Sequence, residues 1–383
     1  MTPERSEGFT YPVGYQRFHK DQLFNFQLNR PYSLGYARLE DLTAAGQRIA
    51  TFAEWKTAML RLATDALSED RLMNAAFYYR AAEFYTFPDD PDKQPLYDRF
   101  SELFSRAFEK DGIERTHVPY GDASLPAMAI APEGTARGTI ILHGGYDSFI
   151  EEFYSMMRYF AASGFRVIGF DGPGQGAARR KAGLPLDYRW EKPVGAVLDY
   201  FGLEDVTLIG YSMGGYFALR AAAFEARVKR VITSGHAFDY RKVARPPATA
   251  ILVFFHDHCR EFTNRLSRWK IRKGGMEAWN ISHLMYVLGV NEPMAALEFA
   301  LELSEENLHS DVVKQDVLVL ASRDDHFIPF RLHKEQLRRL AAARSVTDRV
   351  FGREDHAQNH CQIGNIGLAL RVMREWIETK TTG

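Results

Sequence analysis

Ser212 stands in Gly210-Tyr211-Ser212-Met213-Gly214-Gly215, directly after the apolar run DVTLIG and directly before the helical run YFALRAAAF. A serine flanked by glycines two positions away on each side, at a strand-to-helix turn, is built to act as a nucleophile. The turn brings the chain so close to itself that only small side chains fit at the flanking positions, and it lifts the hydroxyl above the sheet. The Met213 N–H, opening the next helix, then faces a developing oxyanion. A glycine-rich helix start with an N-capping serine is the non-catalytic alternative. Serine is a weak nucleophile without a base, and the base needs an acid to orient it, so a carboxylate and a histidine must be found as well.

Both occur downstream. The run DVLVLAS leads into Arg323-Asp324-Asp325-His326-Phe327-Ile328-Pro329, which puts two carboxylates at the C-terminal end of a strand, the edge where open sheets keep their sites. Asp325 is the preferred acid with Asp324 in reserve, and a plain surface turn is the alternative. After SVTDRVF comes Gly352-Arg353-Glu354-Asp355-His356-Ala357-Gln358-Asn359-His360-Cys361-Gln362, where two histidines compete. His360 is favoured because it adjoins the helix beginning near Gln362; His356 otherwise reads as a solvated loop residue. Upstream, Ile140-Ile141-Leu142-His143-Gly144-Gly145-Tyr146 ends another strand, and backbone N–H groups around Gly145 and Tyr146 are the candidates to complete an oxyanion hole with Met213. The His143 ring reads as structural.

Three other runs hold ligand-type residues without a complete set. Asp171-Gly172-Pro173-Gly174-Gln175-Gly176, after the strand FRVIGF, lacks the lysine and following Ser/Thr of a nucleotide loop, and its spacing is wrong for a dinucleotide fold. His256-Asp257-His258-Cys259 has metal-ligand side chains but no distant partner set, so neither metal nor cofactor is expected. Arg179-Arg180-Lys181 is too short for more than a solvated turn. Across the chain 48 Lys+Arg stand against 49 Asp+Glu, which leaves no charge excess for nucleic acid or anionic lipid. Cys259 and Cys361 are too few for a disulfide framework in 383 residues, which fits a reducing compartment and a cytoplasmic location. Met1 to Thr10 lacks a signal-peptide pattern, and no run approaches the roughly 18 apolar residues of a spanning helix, so neither secretion nor a membrane is expected.

The elements that must hold these residues show as a change of texture near Arg115. From about Thr51 to Lys110 apolar residues recur at helical spacing (Trp55, Met59, Leu62; Leu72, Ala76, Tyr79; Leu96, Phe100, Leu103), broken by prolines and aspartates at Phe87 to Pro95. Thereafter short β-rich runs bounded by glycine alternate with helical patterns: Leu125 to Ile130, Gly138 to Leu142, Phe165 to Phe170, Val206 to Ile209, Val228 to Thr233, Val317 to Leu320 and Val346 to Phe351. The alternation predicts an α/β fold, a mostly parallel sheet with helices on both faces. About 80 residues of aromatic-rich helical content separate the runs ending near Ser234 and beginning near Asp316, too long for a loop and expected to form a helical lid insertion at about 237–313. The chain so divides into a helical N-terminal cap region, 1–114, and a domain at 115–383 carrying the lid.

HGGYDSFIEEFY (143–154), DGPGQG (171–176), GYSMGG (210–215), DDHFIP (324–329) and HCQIGN (360–365), with chain order Ser, Asp, His, resemble the α/β-hydrolase superfamily over about 220 residues. More narrowly they resemble the branch of the 2,6-dihydroxypseudooxynicotine hydrolases, the fungal yellowish-green polyketide-shortening hydrolases and the FrsA-like esterases. NFQLNRPYSLGYARLEDL (25–42) resembles the N-terminal cap of that branch. The resemblance implies an α/β-hydrolase fold and a triad of Ser212, Asp325 and His360, the HCQ run favouring His360 over His356. It also places Glu151 and Glu152 where some members hold an acidic residue near the substrate, although acidic residues suit a solvated first helical turn equally; with Tyr211 they are the candidate pocket residues. Cleavage of esters or of carbon–carbon bonds next to a ketone, and a homodimer formed through the cap, are further implications of the resemblance.

The expectation is a serine-triad hydrolase acting on a medium-sized, aromatic or polyketide-like small molecule, because a covered pocket excludes polymers. Interception of the same acyl-enzyme by an internal nucleophile would instead give acyl transfer or cyclisation. A ligand-binding protein with an unused triad is the non-enzymatic alternative.

Overall fold

The computed structural model describes residues 4–6, 8–245, 254–255 and 258–381. A hairpin of β1 (Glu4–Ser6) and β2 (Phe9–Tyr11) precedes five helices, α1 (Gln22–Ser33), α2 (Leu39–Gly46), α3 (Phe52–Ser68), α4 (Leu72–Phe84) and α5 (Lys93–Ala107). Helix α3 opens with a capping box: the Thr51 hydroxyl accepts from the Glu54 N–H, and the Glu54 carboxylate accepts from the Thr51 N–H. Helical spacing finds α3 to α5 but not α1. The buried face of α1 carries Asn25 and Asn29, whose side-chain amides donate to the Gln16 carbonyl, so its apolar period is broken.

Eight strands form the main sheet: β3 (Glu114–Tyr120), β4 (Ala123–Ile130), β5 (Thr139–His143), β6 (Arg166–Phe170), β7 (Val206–Tyr211), β8 (Val228–Ser234), β9 (Asp316–Ser322) and β10 (Ser345–Phe351). Their spatial order is β10-β9-β8-β7-β5-β6-β4-β3; β10 to β6 pair in parallel, and β4 and β3 run antiparallel at one edge. Edge strand β3 eludes the sequence pattern because it buries only Val118.

The connections supply α6 (Tyr154–Ala162), α7 (Gly176–Arg180), α8 (Glu191–Phe201) and α9 (Met213–Phe224). After β8 come α10 (Arg260–Lys273), α11 (Met276–Leu288), α12 (Pro293–Glu302) and α13 (Glu305–Leu308); α14 (His333–Arg339) follows β9, and α15 (Ile366–Thr381) follows β10. Alternate strand residues feed two cores. Ile140, Leu142, Ile209, Ile232 and Leu318 pack with Met157, Phe160, Leu370 and Met373 of α6 and α15, and this core runs on into the N-terminal helices through Tyr36, Phe77 and Phe104. Ile141, Leu208, Val231 and Val317 pack on the other side with Val194 and Val197 of α8 and Phe217 and Leu219 of α9. The interval expected to form a lid contains α10 to α13; its residues 246–253 and 256–257 lie outside the described residues. Among the described residues no single helix is long and apolar enough to cross a membrane.

Arg179-Arg180-Lys181 is not the solvated turn expected. The Arg180 side chain is buried and, with Arg80 of α4 and Lys93 of α5, surrounds the buried carboxylate of Glu83. Burial pushes Glu83 up, but Arg180, Lys93 and Arg80 outweigh it and hold its carboxyl well below the usual carboxylate range. Burial also pushes Lys93 down to about 8. Glu83→Gln leaves the buried cations of Arg180 and Lys93 without a carboxylate, Arg80 keeping Glu152, and is expected to cost about 3–5 kcal/mol, read as an earlier midpoint in urea at pH 7. Because the folded pKa is depressed, that difference is full above the ordinary glutamate value of 4.5 and shrinks as pH falls below it. An unchanged midpoint at pH 7 would show the cluster to be dispensable for stability.

Candidate active site

Ser212 sits between β7 and α9 with φ 57 and ψ −131, a conformation L-residues rarely hold. Its N–H donates to the Ser234 carbonyl at 2.7 Å, and the Gly215 N–H donates to the Ser212 carbonyl at 2.9 Å. A β-carbon at Gly210 would collide with the Gly214 carbonyl, and one at Gly214 would stand 2.5 Å from the Gly144 carbonyl oxygen. The Ser212 side chain makes no capping hydrogen bond to α9, so helix capping does not account for it.

Asp325 follows β9 and His360 follows β10, which brings both to the C-terminal edge of the sheet beside the β7 turn. Asp325 Oδ1 accepts from the N–H groups of Phe327 and Ile328 at 2.9 Å each, leaving Oδ2 for His360 Nδ1 at 2.8 Å. His360 Nε2 lies 2.9 Å from Ser212 Oγ. The Asp325 and His360 side chains are 3% and 6% exposed, dry enough for the pair to interact strongly. Burial pushes the imidazole down, but the Asp325 carboxylate, seconded by Cys361, outweighs it and holds His360 well above the ordinary histidine value. The reserve candidates lie apart: Asp324 is exposed and accepts from Arg353 Nε at 2.7 Å, and His356 is exposed in a left-handed conformation.

Gly145 approaches Met213 so closely that a β-carbon on it would stand 2.8 Å from the Met213 nitrogen. Tyr146 and Met213 line the same cavity as Ser212 and His360. The His143 ring, pushed down to about 4 by burial, packs against Phe170 and Trp190 of the second core instead.

The cavity has a volume of about 270 Å³. Phe153, Met156, Tyr211, Phe327, Ile363 and Ile366 give it apolar walls, and α1 adds Phe26, Gln27 and Arg30, with Leu34 at its C-cap. The α1 contribution is missing from the sequence reading; its signal was the N-cap Asp21, whose carboxylate accepts from the Leu23 and Phe24 N–H groups. Neither Glu151 nor Glu152 lies on a solvated turn, for both are buried. Glu152 lines the cavity, held by Arg30 at 3.1 Å and Arg80 at 2.9 Å. Glu151 does not line it: it lies 3.5 Å from Arg115 and acts on Asp171, whose carboxyl is raised by burial first and by the Glu151 charge second. His256 and Asp257 lie outside the described residues, and among the described residues no group of three or more His, Cys, Asp or Glu is arranged to hold a metal ion.

A family model described as alpha/beta hydrolase fold matches residues 140–359. Hydrolase acrC of Aspergillus aculeatus is 31% identical over 259 residues, 58% of this chain and 59% of that protein. Hydrolyase poxO of Penicillium oxalicum is 27% identical over 355 residues, 79% of this chain and 83% of that protein. The crystal structure of the 2,6-dihydroxy-pseudo-oxynicotine hydrolase superimposes with a TM-score of 0.65 at 21% identity, covering 91% of this chain and 94% of the other.

Proposed function

This chain belongs to the alpha/beta hydrolase fold family and is a hydrolase, and from that premise we propose that Ser212 attacks the carbonyl of a medium-sized, largely apolar small molecule, cleaving an ester or the carbon–carbon bond next to a ketone. The observation that carries this reading is the hydrogen-bond chain from Asp325 through His360 to Ser212, opening on the cavity. His360 Nε2 takes the Ser212 proton as Oγ adds to the carbonyl carbon, while Asp325 holds the imidazole in place through Nδ1. The N–H groups of Met213 and of Gly145 or Tyr146 receive the oxyanion. His360 then gives the proton to the departing alkoxide or carbanion, and water deprotonated by the same imidazole releases the acid from the acyl-serine. A carbanion departs only where a neighbouring group withdraws its charge, as in a β-diketone or a C-acyl phenol.

The walls supplied by Phe26, Leu34, Phe153 and Met156 suit a flat or apolar acyl compound, and a volume just below the usual range of about 300–1,000 Å³ does not suit a polymer. Two free thiols, Cys259 and Cys361, suit a cytoplasmic compartment. Size-matched panels of aryl esters, β-diketones and C-acyl phenols test the reading by product analysis. At least one class is expected to give acid plus alcohol, or acid plus ketone or phenol. No turnover in any panel, with no acyl-enzyme by intact mass, would overturn it.

A further inference from the structure

Gln175, in the DGPGQG run between β6 and α7, is 2% exposed, and both ends of its amide are engaged. Oε1 accepts from the Gly172 N–H at 2.9 Å, which closes the run on itself. Nε2 donates to the Gly144 and Gly145 carbonyls at 2.8 and 2.6 Å. Those carbonyls belong to the peptide units that carry the Gly145 and Tyr146 N–H groups. A trans peptide is planar with its C=O and N–H on opposite sides, so gripping the two carbonyls turns both N–H groups away from Gln175. Tyr146 lies between two cavities, lining both that of Ser212 and His360 and a small one that it shares with Gln175; Gln175 lines only the small one. The amide therefore grips the loop from a side that does not line the Ser212 cavity, and both N–H groups are turned away from that grip.

We propose that Gln175 is the positioning residue of the oxyanion hole, fixing the peptide planes at Gly144 to Tyr146 so that their N–H groups converge with that of Met213. The proposal rests on the serine mechanism given above. Asp171, at the start of the run, gives Gln175 a rigid base: its carboxylate accepts from the Ile150 N–H at 2.9 Å and the Ala177 N–H at 3.0 Å, tying the run to the segment after the oxyanion loop and to α7. The Gly144 carbonyl also meets His143 Nδ1 at 2.9 Å, so the plane that depends most on Gln175 is the one carrying the Tyr146 N–H. Losing the Gln175 donor leaves a buried carbonyl that must rotate to find a partner, and the rotation swings that N–H off its target.

Gln175→Met keeps the length of the side chain and removes the donor. For an aryl ester, kcat is expected to fall about 10²-fold with KM held within about twofold, and labelling by a small alkyl fluorophosphonate should slow in step. The acid limb of the pH profile, which reports His360, should not move even though the lost hydrogen bonds lower the thermal midpoint, whereas a defect that spreads into the triad would move it. Gln175→Glu, which keeps the Gly172 contact but turns an acceptor toward two carbonyls, should be impaired at least as much and carries the same reading if Gln175→Met does not fold. A kcat and labelling rate within about threefold of native in a folded variant overturns the proposal, as does a loss confined to KM. If the native protein itself is not labelled, the serine mechanism fails and takes this proposal with it; if it is labelled and the variants are labelled equally fast, only the role of Gln175 fails.

Discussion

Ser212→Ala is expected to lower kcat by about 10⁴- to 10⁶-fold while leaving the fold intact, the residual rate being what binding and the oxyanion donors supply without a nucleophile. The size of the loss follows from the geometry: Oγ is the atom 2.9 Å from His360 Nε2, and no other hydroxyl is hydrogen-bonded to that imidazole among the described residues. The fold is spared because the contacts that hold the turn are backbone ones, Ser212 N–H to Ser234 and Gly215 N–H to Ser212, and alanine keeps both. The side chain caps no helix, so its removal takes no capping energy with it. Turnover of the responsive substrate and a thermal melt on the same preparation check this. Activity within about tenfold of native in a normally melting variant would mean that the bond is broken elsewhere.

Asp325→Asn should lower kcat by about 10⁴-fold and also move the pH profile. An asparagine fills the same space but neither stabilises the imidazolium nor enforces the Nδ1–H tautomer. His360 acts as a base only when neutral, and its pKa is raised by Asp325, so native activity should rise along an acid limb centred above the ordinary histidine value of 6.5. With the carboxylate gone, burial is the dominant influence left, and it disfavours the cation; the limb should then fall below 6.5. Asp324→Asn is the control. Its carboxylate pairs with Arg353 at the surface, and neither rate nor limb should change. A limb that stays put in Asp325→Asn, or moves in Asp324→Asn, would reassign the acid.

The α/β class and the serine turn were legible because both are written in short covalent neighbourhoods. Short β-rich runs bounded by glycine and alternating with helical patterns announce a sheet covered on both faces, and glycines around Ser212 announce a turn in which β-carbons do not fit. Asp325 and His360 were legible as residues just past strand ends, and the choice over Asp324 and His356 turns on side-chain direction, which sequence spacing does not express. What escaped the sequence depends on partners far away along the chain. Helix α1 hides because Asn25 and Asn29 take the place of apolar residues and are satisfied by Gln16. The Arg180 cluster looked solvated because its counter-charge, Glu83, is 97 residues away. Gln175 looked like part of a failed phosphate loop because the carbonyls it serves belong to another loop. Glu151 and Glu152, alike and adjacent, diverge because only one of them meets Arg30 and the cavity.

The central claim is that His360, oriented by Asp325, activates Ser212. Intact-mass analysis after treatment with a small fluorophosphonate tests it most directly, on the native protein, Ser212→Ala and His360→Ala. The account predicts one stoichiometric adduct on the native protein and none on either variant. An adduct retained by Ser212→Ala, or no adduct on the native protein, would contradict it.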